Sequence, residues 1–173
     1  PVAALLSRKS GHPVKLVMDR TEVLLATGPT SGALVRIKIG VTNEGRITGA
    51  TAWFAYEAGA FPGSPVNPGV QCLFGCYDIA NGHVEGYDVV LNHPKTAAYR
   101  APGSPAAAFA CETVVDELCE KLGMDPIEFR LLNGSTRGTR RVTSPQFGRT
   151  GYLETVQAAK EPVHWSAPLE GAN

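Results

Sequence analysis

The sequence carries no excess charge of either sign: 16 basic residues balance 16 acidic ones. A nucleic-acid groove or an anionic membrane surface recruits its partner through a basic excess, so neither is expected as the main partner. No apolar run approaches the roughly 20 residues needed to cross a bilayer. The opening "PVAALLSRKSGHPVKL" lacks the basic–apolar–small order of a signal peptide. It also lacks an initiator methionine, so the chain is expected to begin inside a longer protein. Cysteines are few, at 72, 76, 111 and 119, and no two are spaced C-x-x-C. The four histidines (12, 83, 93 and 164) are scattered, whereas structural zinc sites use tighter pairs. Cys72 and Cys76 could share one helical face, yet buried reduced thiols are the plainer reading. They suit a reducing, cytoplasmic setting, and no metal ligands are assigned.

A hydrophobic content of 43% with 18% charged residues belongs to a packed globular chain rather than a disordered one. The most regular pattern is "ALVRIKIGVT". Val35, Ile37, Ile39 and Val41 occupy one parity, and Arg36 and Lys38 the other, as in a half-buried strand. "NEG" at 43–45 offers a tight reversal with Gly45 at positive φ, and "RITGATAWFAYEAG" returns as the partner strand. Trp53 and Phe54 then fall on opposite faces, so one of them is core. Tyr56 is read as core or interface, like Phe61. Upstream, "VAALLSRK" reads as a helix ending at Gly11, "PVKLVMDR" as a short strand, and "TEVLLATG" as a turn or short helix. Arg20 is read as paired with Asp19 or Glu22, or solvated. Residues 59–75 are broken by prolines and glycines and read as a long loop ending in a short apolar element. One further strand is expected over about 83–92.

The stretch "AYRAPGSPAAAF" (98–109) places an arginine at the lip of a stiff turn, directly before a helix. Ser104 is a candidate N-cap and Pro105 suits the first helical position. Ala108, Cys111, Val115, Leu118 and Leu122 recur at helical spacing and define a buried stripe. Glu112, Asp116 and Glu120 lie on a face read as solvated. Gly123 ends this helix. "DPIEFRLLN" begins the next, with Asp125 as cap, Pro126 at the first position and Glu128 closing a capping box. Residues 134–150 read as a loop, "GYLETVQAAK" as a last short helix, and His164 and Trp165 in the tail as packing residues. Strands come first and helices later, which predicts an α+β fold with an antiparallel hairpin or sheet in the first half. The expected organisation is one partial domain over 1–173: mainly strands and loops to 97, a turn plus helices over 98–160, and an irregular tail over 161–173. A Gly/Pro turn can converge backbone N–H groups on an anion, and the following helix adds the positive end of its dipole. A surface arginine on an ordinary corner is the competing reading.

Three segments in order, "GHPVKLVMDRTE", "NEGRITG" and "NHPKTAAYRAPGSPAAAFACETVVDELCEKLGMDPIEFRLLN", resemble the large, molybdopterin-binding subunit of the xanthine dehydrogenase/aldehyde oxidase family. The part from Tyr99 to Asn133 is the most specific. One small departure is His12, where the family carries arginine. The resemblance implies a molybdenum–molybdopterin cofactor, with iron–sulfur centres and, in some assemblies, FAD in companion domains or chains. It implies oxidation or hydroxylation of a substrate carbon with oxygen from water. It also implies that this is an internal piece, truncated or split. The family's Gln-Gly segment and its late Gly-x-Gly-Glu, whose glutamate is the base, have no counterpart in these 173 residues. No catalytic residue is therefore assigned in this fragment, and none of the cofactor is expected to be held tightly by the chain alone.

Carried over residue by residue, the resemblance puts Arg100 and Ala101 beside the cofactor and Pro102 at the substrate position. Purine oxidisers carry a phenylalanine at the position of Pro102 and an arginine at that of Pro68. Carbon monoxide dehydrogenases carry a copper-binding cysteine where Ala101 stands. Neither purines nor carbon monoxide are favoured, which leaves aldehydes, other N-heterocycles and acyl aromatics. The alternative is a non-catalytic structural or assembly fragment, inactive on its own. The partners implied are the remainder of the molybdenum subunit, iron–sulfur and flavin subunits, and a small-molecule substrate.

Overall fold

The parity of "ALVRIKIGVT" is realised in β1 (Ala33–Val41), which pairs antiparallel with β2 (Ile47–Gly59). The register sets Val35 opposite Phe54, Ile37 opposite Ala52 and Ile39 opposite Ala50, so the apolar set shares one face. Arg36 and Lys38 face Trp53 and Thr51 on the other. The reversal closes through Thr42 N–H to Arg46 C=O (2.9 Å) and Gly45 N–H to Thr42 C=O (3.0 Å). Gly45 takes φ 83° as the turn demands. The computed structural model describes residues 1–142, 146–160, 165 and 167; the expectation for His164 lies outside them.

β3 (Gly82–Val90) joins the other side of β2, giving the order β1-β2-β3. It runs parallel to β2, with Ala52 beside Val84 and Tyr56 beside Asp88. The sheet is therefore mixed rather than antiparallel. A parallel neighbour requires a crossover, and the segment between β2 and β3 supplies it. That segment is more than a loop, because α3 (Val66–Cys72) forms within it. Pro68 falls in the first turn of α3, where a backbone N–H has no helical partner to lose. "PVKLVMDR" does not become a strand: residues 13–19 have no regular structure, and Leu16 and Val17 are exposed. Among the described residues no strand pairs with this segment, so its apolar pattern has no ladder to join. It lies between α1 (Val2–Ser10), closed by left-handed Gly11, and α2 (Arg20–Ala26). In α2 the Asp19 carboxylate and Glu22 form a reciprocal capping box, rather than an ion pair with Arg20.

The second half is helical: α4 (Ser104–Leu122), α5 (Pro126–Asn133) and α6 (Tyr152–Lys160). α4 begins one residue earlier than expected. Gly103 is the N-cap, Ser104 and Pro105 are the first two helical residues, and Ser104 makes no capping bond. The buried row is Ala107, Cys111, Val115 and Cys119, with Ala108 exposed and Leu118 and Leu122 half-buried. An i, i+4 row drifts little around a helix, so it follows the contact line with the sheet more closely than the mixed spacing did. Asp125 caps α5 by accepting Ile127 N–H (2.7 Å) and Glu128 N–H (3.0 Å), while the Glu128 carboxylate pairs with Lys160 Nζ instead of turning back. Phe54, Val115 and Phe129, each fully buried, sit between the sheet and the helices. Each contributes about 1.5–3 kcal/mol by leaving water. Of the thiols, Cys111 and Cys119 are buried and Cys72 is half-buried, but Cys76 is exposed, against the expectation of four buried ones.

Candidate functional site

The corner at 98–103 is positioned by the strip that leads to it. Thr96 places its N–H (3.1 Å) and hydroxyl (3.2 Å) on Ala58 C=O, and Ala97 N–H donates to Pro29 C=O at 2.9 Å. The strip runs so close to its neighbours that glycines are needed on both sides. A Cβ on Gly28 would lie 2.2 Å from Lys95 O, and one on Gly59 2.1 Å from Pro94 O. Lys95 Nζ donates to Ala58 C=O (3.2 Å) and Gly63 C=O (2.9 Å), joining the end of β2 to the loop that follows. Asp88 of β3 holds that loop from the other side by accepting the amides of Gly63 (2.7 Å) and Ser64 (2.9 Å). Sequence reasoning missed Lys95 and Asp88, since each acts on backbone remote in sequence.

Ala101 adopts φ 52°, the only non-glycine residue with positive φ among the described residues. An alanine there costs about 1–2 kcal/mol, so the surrounding structure must impose it. Ser104 N–H donates to Ala101 C=O at 3.0 Å, with Pro102 second and Gly103 (φ 84°) third in the turn. That order suits a type II turn. The bond leaves the Ser104 N–H unavailable to a ligand. Among the described residues, the Ala101 and Gly103 amides have no acceptor.

Arg100 is exposed at this lip. Tyr99 does not pack inward: it is 70% exposed. A crevice of about 220 Å³ opens beside the turn, lined by Thr30, Ser31, Tyr56, Tyr99, Pro102 and Ala106. A second, of about 230 Å³, is lined by Ser64, Pro68, Thr96, Ala98 and again Pro102. Pro102 thus borders two small apolar-walled recesses. Ser64 Oγ is buried without a hydrogen-bond partner among the described residues. Phe61, at the tip of the loop held by Asp88 and Lys95, is 67% exposed rather than core. A wider depression of about 760 Å³ lies over the opposite end of β2, beside Lys38, Thr51 and His83, away from the corner. Among the described residues, no group of three or more His, Cys, Asp or Glu could hold a metal ion, and no helix is long and apolar enough to cross a membrane.

On the far side of α4, Glu112 is paired and only partly solvated. Arg130 donates to its carboxylate through Nε (3.1 Å) and Nη2 (2.6 Å), and Tyr77 donates from its hydroxyl at 2.8 Å. Burial first, and then the Glu112 charge, hold the Tyr77 phenol well above the ordinary tyrosine range, so it remains a donor. This cluster braces α4 against α5.

Residues 1–134 match the family model of the molybdopterin cofactor-binding domain. The chain is 31% identical, over 95% of its length, to the aldehyde oxidoreductase molybdenum-binding subunit of Escherichia coli O157:H7, and covers 22% of that protein. It is 30% identical, over 91% of its length, to the nicotinate dehydrogenase large molybdopterin subunit of Eubacterium barkeri, covering 38% of it. Among solved structures, aldehyde oxidoreductase from Desulfovibrio gigas superposes with a TM-score of 0.76 at 26% identity, over 97% of this chain and 20% of that one. Quinoline 2-oxidoreductase from Pseudomonas putida 86 shares the fold at a TM-score of 0.79 and 24% identity, over 95% of this chain and 22% of that one. The chain thus spans about a fifth to two fifths of the length of these relatives.

Proposed function

Because this chain belongs to the molybdopterin cofactor-binding domain family of the xanthine dehydrogenase/aldehyde oxidase type, we propose that its 98–103 corner forms one wall of a molybdenum hydroxylase active site. The observation that carries this reading is the corner itself. A strained Ala101, two amides without acceptors and an exposed arginine occupy one turn that proline and glycine stiffen. Preorganised donors of this kind stabilise negative charge because they need no reorientation when it develops.

The donor set fits an anionic, oxygen-rich group. Arg100 and the Ala101 amide would hold it, with Gly103 N–H as a further donor. When bound, a molybdenum–molybdopterin group would supply the redox chemistry, accepting two electrons from the substrate carbon. The chain's own part is to orient and to exclude. Pro102 presents a small aliphatic wall to both crevices and no π-face on which a purine could stack. Ala101 presents a methyl that cannot ligate copper. The substrate class that suits this wall is an aldehyde or a small aromatic heterocycle. Iron–sulfur and flavin-bearing partners would carry the electrons away. The base would come from outside these 173 residues.

The test is Arg100→Ala in the assembled subunit, with turnover, molybdenum content and melting temperature measured together. Turnover should fall about 10²–10³-fold, the range for losing one preorganised site donor. Melting should hardly move, since an exposed arginine contributes about 0–1 kcal/mol to folding. Unchanged turnover at full molybdenum loading would return the turn to an ordinary surface corner.

A further inference from the structure

The corner's geometry traces to a residue that is distant in sequence. Tyr56 on β2 is 1% exposed, stacks on Phe54 with ring centroids 5.8 Å apart, and donates its hydroxyl to Gly103 C=O at 2.8 Å. The hydroxyl lies against Gly69 of α3, where a Cβ would come within 2.7 Å of it. Gly103 is pressed onto the same helix start: a Cβ there would lie 2.3 Å from Pro65 O and 2.8 Å from Gly69 N. Three elements, β2, α3 and the start of α4, therefore meet at one phenol oxygen. The two helix sides lack a Cβ there, at Gly69 and Gly103, so that they can. Gly103 C=O points at Tyr56, which sets the orientation of the peptide that follows the Pro102–Gly103 pair. The turn's remaining bond, from Ser104 N–H to Ala101 C=O, then holds Ala101 in its left-handed conformation.

We infer that Tyr56 is a positioning residue, whose hydroxyl locks the 101–103 turn in the conformation that presents Arg100 and the Ala101 amide. This inference rests on the reading of the corner given above. Burial, with a smaller contribution from the Cys72 sulfur, moves the Tyr56 phenol up to about 12. The group therefore stays a donor through the working range of pH.

Tyr56→Phe removes the hydroxyl and keeps the ring, so the stack on Phe54 and the sheet should persist. In the 173-residue chain, amide hydrogen exchange read by NMR should speed up about 5–10-fold at Ser104, the scale of one lost hydrogen bond. Amides of the β1–β2 ladder should not change. In the assembled subunit, Tyr56→Phe should lower kcat/KM about 10-fold, as expected for a displaced donor. The double variant Tyr56→Phe/Arg100→Ala should lose little beyond Arg100→Ala alone, because both act through one turn. Fully additive losses, or unchanged exchange at Ser104, would overturn the positioning role. If Arg100→Ala is itself silent while Ser104 exchange responds, the lock stands and the proposed active-site role of the corner fails. If Arg100→Ala is damaging and Tyr56→Phe changes neither readout, the active-site role stands and the lock fails. A Tyr56→Phe variant that does not fold would be replaced by Gly69→Ala, which crowds the same oxygen from α3 and should give the same exchange pattern. Gly69→Ala with wild-type exchange at Ser104 would count against the lock.

Discussion

Arg130→Met should destabilise the fold by about 2–3 kcal/mol, because it orphans a carboxylate that the structure has partly withdrawn from water. Arg130 is 18% exposed and makes four bonds: two to Glu112, one to Asp116 at 2.9 Å and one to Pro126 C=O at 3.0 Å. The Asp116 bond is to a well-exposed partner and contributes about 0–1 kcal/mol. The Glu112 pair matters more. Removing one partner of a fully buried pair costs about 3–5 kcal/mol, but the Glu112 side chain is 36% exposed and water relieves part of that penalty. Methionine preserves much of the apolar stem, so the loss reports the guanidinium rather than packing. For a chain of 173 residues, 2–3 kcal/mol corresponds to a fall in Tm of about 5–10 °C. Thermal and urea unfolding followed by circular dichroism would measure both quantities. A second substitution sharpens the test. Arg130→Met/Glu112→Gln leaves Tyr77 an acceptor and removes the stranded charge, so it should recover about half the loss. A single-variant shift below about 2 °C, or no recovery in the double variant, would refute the view that Glu112 is held by these partners rather than by solvent.

Burial, followed by the neighbouring Glu112 charge, moves the Cys111 thiol from 9.0 up to about 12. The folded value is the raised one, so this contribution is fully present below the unfolded pKa and fades as pH rises through about 9 to 12. Urea midpoints should therefore fall from pH 9 upward, this thiol lowering the unfolding free energy by as much as about 4 kcal/mol at pH 12. A flat midpoint to pH 11 would contradict the assignment. In native protein at pH 8, a maleimide should label Cys76 first and spare Cys111 and Cys119, which mass mapping of the labelled peptides would check. Equal labelling of all four would show that the α4 face is open. The 173-residue chain purified alone should carry well under one molybdenum per chain, since it lacks the other cofactor-binding segments that the family resemblance implies. Stoichiometric metal by elemental analysis would overturn that expectation.

The division between what was legible in the chain and what was not follows the range of the forces involved. The β1–β2 hairpin could be read because side-chain parity repeats every two residues and Gly45 marks the turn within three. The helix ends at Gly11, Gly123 and Asp125 could be read because caps act within a few residues of the helix terminus. The family could be read because the Tyr99–Asn133 motif is itself a contiguous string. Other features needed the folded chain. Parity along Gly82–Val90 is the same for either strand direction, so only the crossover through α3 made β3 parallel. "PVKLVMDR" had strand composition, but a strand needs a partner and among the described residues none came to it. Tyr56 had no assigned partner, yet it is Tyr56, 47 residues from Gly103, that holds the corner. Glu112 looked solvated until α5 brought Arg130 against it, 18 residues on. A sequence by itself determines which short segments can be helix, strand or turn, because those preferences arise between near neighbours. Which buried hydroxyl meets which carbonyl is decided only when distant segments compete for one volume, because a hydrogen bond falls away within an ångström of its ideal length.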